Sequence, residues 1–402
     1  MMSRTHTRRS ARRRLTGVDA ARGLALLGMF TVHVLPTTDE LTGEATWAGT
    51  LFAGRSAALF AVLAGVGIAL LTGGTKPERP STEVNRDRVS LAVRAGVIVL
   101  IGLLVSLLPA GVAIILVHYG VMFILALPFL RLRAPGLFLL AGVWAVAGPA
   151  FYWVWQNALR EGIEPWESPE RLWRSPILVD VFQPLQLLQD LVVTGYYPLL
   201  VWPAYVFFGM ALGRLDLRRI STALMLVVGG AFVAAVTAVI GWWVREHSTM
   251  VEVMLQIYGG TPEQIRGAMV AGDHQVPLIL DERWFLLDAA HQNTPVEVIQ
   301  AMGCAAGVVG VCLLIAKPLP WLLAPLSGAG SMPLTLYVGH LVMLSLWRDE
   351  EAPLHALSDA VMLTVLIGGA LGMGLLKALL GRRGPLEAMT HAASAAATGR
   401  RR

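Results

Sequence analysis

Apolar runs of about 18 residues or more recur along this chain, each bounded by short polar stretches. Inside a bilayer every backbone N–H and C=O must find its partner within the chain, and a helix does this within one segment. The sequence therefore predicts an all-α, polytopic membrane protein of about 10 transmembrane helices. Composition agrees: 55% of residues are hydrophobic and 15% charged, where soluble chains carry about 25% charged residues. A pI near 9.5 invites a nucleic-acid reading. The basic residues argue against it, because they fall in short clusters between apolar spans, as expected where cytoplasmic loops hold positive charge. Of 32 Lys and Arg residues, about 21 fall in segments assigned to the cytoplasm and about 7 in those assigned outside. Both termini are then cytoplasmic.

Residues 1–14 hold six arginines and read as a disordered basic tail. One membrane domain is expected over 15–384, with polar extracytoplasmic segments at 156–190 and 245–293, and a second cytoplasmic tail at 385–402. The basic start runs directly into a full-length span, which reads as an uncleaved first helix. Spans are expected near 17–36, 50–71, 89–108, 111–130, 136–155, 191–212, 222–244, 295–316, 332–347 and 360–380. Pro198 and Pro203 are expected to kink the sixth. The apolar piece of KPLPWLLAPLSGAG is expected to lie in the interface. Thr261-Pro262-Glu263-Gln264 and Thr294-Pro295-Val296-Glu297 are capping-box patterns with Pro at N1. Cys304 and Cys312 share one apolar run and suggest packing, with neither a disulfide nor a metal site.

Chemistry in such a chain is read from ionisable groups inside the spans, which are costly there and mark functional sites by default. The first span, GVDAARGLALLGMFTVHVLP, carries Asp19 and Arg22 near one end and His33 near the other. Eleven residues separate Arg22 from His33, so both lie on nearly one helix face, roughly 16 Å apart. With the orientation above, Asp19, Arg22 and Arg94 form an inner layer. His33, Arg55, His118 and His340 form an outer one. An intramembrane His supplies a general base away from bulk water, and an inner cationic layer suits a phosphorylated ligand. Each residue has a structural alternative. Arg22 and Arg94 are long enough to snorkel. Asp19 and Arg22 form an i,i+3 pair at a helix start. His118 and His340 can serve as interhelical hydrogen-bond partners. Arg55 is expected to pair with an outer carboxylate, Asp39, Glu40 or Glu44. No HExxH, GxSxG, P-loop or GxGxxG motif occurs in its proper context.

At these residues the chain resembles a known group. RLTGVDAARGLALLGMFTVHV and GRSAALFAVLAGVGIAL are similar to the opening helices of transmembrane acyltransferases, namely the YeiB-like and heparan-α-glucosaminide N-acetyltransferase-like proteins. TGYYPLLVWPAYVFFGMALGRLDL, GSMPLTLYVGHLV and RRGPLEAM resemble the YeiB-like pattern, so the resemblance spans most of the chain in blocks. The Arg22-x10-His33 spacing also resembles the helix-1 signature of the acyltransferase-3 family, in which the His is thought to activate an acceptor hydroxyl. The heparan acetyltransferase relatives carry an essential His three residues before a Trp in the outer loop. Here Trp47 fits that Trp, and Glu44 stands in the place of the His. The resemblance implies that His33 takes the base role, with Glu44 orienting or assisting.

The resulting expectation is a membrane acyltransferase. Acyl-CoA, most simply acetyl-CoA, enters from the cytoplasm with its phosphates on Arg22 and Arg94, and an extracytoplasmic glycan or lipid-linked sugar accepts the acyl group. His33, Glu44, Arg55, His118 and His340 are the catalytic candidates, and Asp19, Arg22 and Arg94 the donor-binding ones. No metal is expected. The expected partners are membrane lipids and the acceptor, with no nucleic acid and with a homodimer left open. The Ala/Gly/Arg-rich usage suits a bacterial plasma membrane. The alternative is a transporter or lipid flippase with a polar intramembrane path and no covalent chemistry. A scaffold that needs only its packing is least favoured.

Overall fold

In the computed structural model the chain is described over residues 15–399, apart from 166, 168–171, 173, 273–275 and 277. The expected tail at 1–14 lies outside the described residues. Among those residues there is no strand, only an isolated antiparallel bridge between Thr38 and Ala45. The helices are α1 (Thr16–Val34), α2 (Trp47–Phe52), α3 (Arg55–Leu71), α4 (Ser81–Val105), α5 (Leu116–Ala126), α6 (Ala134–Leu159), α7 (Pro184–Val192) and α8 (Pro203–Gly213). They continue as α9 (Ile220–His247), α10 (Met250–Tyr258), α11 (Pro262–Ala271), α12 (Pro295–Ile315), α13 (Ala324–Gly330), α14 (Pro333–Arg348), α15 (Asp359–Leu380) and α16 (Pro385–Ala397).

Six helical stretches among the described residues are long and apolar enough to cross a membrane: Trp47–Leu71, α4, α6, α9, α12 and α15. A bent pair, α13 with α14 at 85°, makes a seventh if counted as one span. The protein is thus a multi-pass, all-helical membrane protein. Burial sorts the helices. Of the most apolar window in Trp47–Leu71, 78% is buried, against 22% in α9 and 17% in α15. A helix apolar on every side needs a surround of its own kind, either protein or hydrocarbon. Helices α1, α3, α8 and α12 find it in one another, and α9 and α15 turn residues such as Phe232 and Leu379 outward. In lipid there is no hydrophobic gain from burying one helix on another, so close backbone contact matters more. The α3–α8 contact shows this, since a Cβ on Gly209 would collide with the Val62 carbonyl.

Several expectations needed correction. The second span is not continuous: α2 ends at Phe52 and α3 starts at Arg55, with Gly54 at φ 66° between them. Only glycine adopts that conformation without strain. The sixth span is broken rather than kinked: α7 stops at Val192, and α8 begins at Pro203 after a turned segment through Pro198. The linker piece expected in the interface forms α13, which inserts between α1 and α15. Gly330 there abuts the Asp19 carbonyl, and Gly328 the Gly374 carbonyl. The segment 156–190, expected to be polar, presents Phe182 and Leu185 outward at 86% and 83% exposure while burying Asp180 and Asp190. Asp180 pairs with Arg174. The closing tail is helical in α16 and packs on α4. Both capping Thr hydroxyls accept the expected N3 N–H, but the Glu297 carboxylate takes the N–H groups of His291 and Asn293, at 2.9 and 2.5 Å.

Candidate active site

Helix α1 carries the polar groups at both ends of the site. At its start Asp19 and Arg22 form an ion pair of 2.9 Å. The same guanidinium donates to the Gly330 carbonyl at 3.1 Å, which fastens α13 to α1. Beside them opens a cavity of about 730 Å³, within the usual range for ligand sites. Its walls come from α1, α3, α4, α5, α14 and α16. Arg94 of α4 lines it and has no hydrogen bond or ion pair to any described residue. Glu387 of α16 also lines it, accepting the N–H groups of Leu334 and Thr335 at 2.7 and 3.1 Å and the Thr335 hydroxyl at 2.6 Å. These orphan donors at the start of α14 are thereby satisfied.

Deeper along α3 the cavity ends on rings. Phe60, Tyr119 and Tyr337 line its inner end, with Phe60 5.2 Å from Tyr119 and 6.5 Å from Tyr337 between centroids. The Tyr119 hydroxyl donates to the Phe60 carbonyl at 3.0 Å, and the Tyr337 hydroxyl accepts the Ile115 N–H at 3.4 Å.

Behind Tyr337 lies the feature that unites the distant parts of the sequence. Nδ1 of His33 is 3.1 Å from Nε2 of His340, and the rings are nearly parallel, 13° apart. One of the two nitrogens donates and the other accepts. His340 is buried, between Phe30 at 4.6 Å and Tyr337 at 4.8 Å. His33 is half-buried and faces a second recess of about 370 Å³ at the far end of α1. Glu40, Arg348 and Asp359 line that recess. Arg348 donates to the His33 carbonyl at 3.3 Å and to that of Ala110. Two recesses at opposite ends of α1 thus approach one imidazole pair.

Of the sequence candidates, Asp19, Arg22 and Arg94 meet at the large cavity, and His33 and His340 meet between the recesses. The others do not join them. Arg55 does not pair with Asp39, Glu40 or Glu44. It donates to the Gln300 side chain at 2.7 Å and the Thr50 carbonyl at 2.8 Å, and Gln300 continues to Asp288 and Arg245. Asp39 is occupied by the N–H groups of Thr42 and Leu41, which hold its carboxyl below the usual range. Glu44 is exposed and lines neither recess. His118 is fully buried, 3.4 Å from the Asp190 carbonyl and 5.8 Å from the Tyr197 ring.

Sequence reasoning does not single out Tyr337, Arg348 or Asp359, and it names Glu40 only as a partner for Arg55. Tyr337 was within reach, because it precedes His340 by three residues and must share its helix face. Asp359 carries no such signal, since only the turn between α14 and α15 brings it to His33.

Comparison with known proteins then bears on this geometry. The heparan-alpha-glucosaminide N-acetyltransferase catalytic family matches residues 14–244, more than half of the chain. His33, Arg94 and the aromatic rings Phe60 and Tyr119 fall inside the match; His340, Tyr337 and Arg348 fall after it. No curated protein matches the chain.

Proposed function

We propose, on the premise that this chain belongs to the heparan-alpha-glucosaminide N-acetyltransferase catalytic family, that it moves an acyl group from acyl-CoA across the bundle to an acceptor on the other side. The His33–His340 contact between two opposed recesses carries this reading. The larger cavity takes the donor, acetyl-CoA in the simplest case. The smaller, polar recess takes the acceptor, a hydroxyl or amine of a glycan or lipid-linked sugar. His33 removes the acceptor's proton as its oxygen or nitrogen attacks the thioester carbon. His340 shares a proton with His33 and so fixes which nitrogen is basic. The C–S bond breaks, and the CoA thiolate leaves through the larger cavity, where it is protonated. Arg94 is the better phosphate ligand of the two inner arginines, because Arg22 already serves Asp19 and the Gly330 carbonyl.

In this reading the bundle makes ten passes. The six long spans are joined by α1, by the shorter apolar helices at Leu116–Phe129 and Pro203–Gly213, and by the α13–α14 pair. The bias of Lys and Arg supports a donor cavity on the cytoplasmic face, and the membrane in this reading is a bacterial plasma membrane.

The test is acyl-CoA binding and thioester turnover by the purified protein in nanodiscs, wild type beside His33→Ala and His340→Ala. Both variants are expected to keep donor binding and lose at least about 100-fold in acyl transfer, the lower end for a general base. Full activity in His33→Ala would sink the mechanism. Donor binding with no loss of the acyl group in wild type would favour a transport path instead.

A further inference from the structure

The proposed donor cavity runs along α3 from Leu71 to Phe60. Eleven residues of helix make this roughly 16 Å. Its outer part is lined by Arg94 and the Gly73–Thr75 backbone, and its inner end by Phe60, Tyr119 and Tyr337. Both tyrosine hydroxyls in that end wall are tied to backbone groups of other residues. Tyr119 also lies against Phe123, tilted 40° with ring centroids 5.2 Å apart. The rings are therefore fixed from several sides. Beyond them comes one layer, His340 with Phe30, and both are at most 2% exposed. Leu26 and Leu63, fully buried, pack the adjoining turns of α1 and α3.

We infer that Phe60, with Tyr119 and Tyr337, is the gauge that limits the acyl group of the donor to a few carbons. This rests on the acyl-CoA reading above. The physical reason is positional. The thioester carbon has to come up to the ring layer to meet the imidazole pair. Every further carbon of the acyl chain then lies among side chains already packed at crystal-like density. Forcing a methylene into such packing is costly, and a close-fitting apolar wall separates substrates differing by one methylene by roughly 10–200-fold. Phe60 is the adjustable member. It makes no side-chain hydrogen bond, and its removal leaves the two tyrosine hydroxyls bonded to backbone atoms, which a side-chain substitution retains.

The experiment uses the full chain in nanodiscs and compares kcat/KM for acetyl-, butyryl- and hexanoyl-CoA in wild type, Phe60→Ala and Phe60→Val. Wild type is expected to prefer acetyl over butyryl by about tenfold or more. Both variants are expected to narrow that ratio, Ala more than Val, with the affinity for CoA itself changed less than twofold. Phe60→Val guards against misfolding of the Ala variant. Equal use of all three donors by wild type, or an unchanged ratio in both variants, would overturn the inference while leaving acyl transfer intact. No turnover of any donor by wild type would instead overturn the acyltransferase reading, and the gauge with it.

Discussion

Arg22 and Arg94 line the same cavity but have different work. Arg22 is bonded to Asp19 and to the Gly330 carbonyl, so its charge is spent on holding α13 against α1. Replacing it by Ala removes the ties to Asp19 and to the Gly330 carbonyl and is expected to lower the melting temperature. Arg94 has no such partner among the described residues. Arg94→Ala should melt close to wild type but bind acyl-CoA about tenfold more weakly, the loss of one charge-assisted hydrogen bond. Equal binding losses and equal melting shifts in the two variants would contradict this division. The residues were legible one at a time. His33 and His340 both stand out as imidazoles in apolar runs, and the i,i+11 spacing of Arg22 and His33 is visible in the sequence. That they touch each other was not, because α1 and α14 are separated by some 300 positions and nothing local specifies the pairing. The Arg55 pairing has a related cause: its nearest acids in sequence lie in the outer loop, whereas the bundle offers it Gln300.

At the scale of the element, hydropathy located the spans and missed how they break. A broken span still reads as one apolar run, since Gly54 and Pro203 change the backbone and not the polarity. α13 was hidden likewise, because a short apolar piece between prolines fits both an interfacial helix and an inserted one. Helix contacts also depend on glycines whose partners only the fold reveals. Gly209 of α8 sits on the Val62 carbonyl of α3, whereas Gly142 of α6 has nothing within 4 Å. Gly209→Ala should therefore destabilise by about 1–3 kcal/mol through overpacking. Gly142→Ala should be neutral or gain up to about 1 kcal/mol from helix propensity. Thermal melts in one detergent compare the two directly, and a Gly209→Ala variant as stable as Gly142→Ala would show that the α3–α8 contact yields.

For the whole molecule, the arrangement that matters is a large cavity and a smaller recess at opposite ends of α1, with the imidazole pair between them; the proposed function makes the first the donor site and the second the acceptor site. Chemistry so placed is vectorial. The most direct measurement puts the protein into sealed vesicles in one orientation and supplies radiolabelled acetyl-CoA to one face at a time, with an impermeant amino sugar or polyol acceptor on the other. Labelled product should form only when acetyl-CoA is on the Arg94 face, and it should appear across the membrane from the donor. Product formed equally from either face, or on the same side as the donor, would contradict transfer through the bundle.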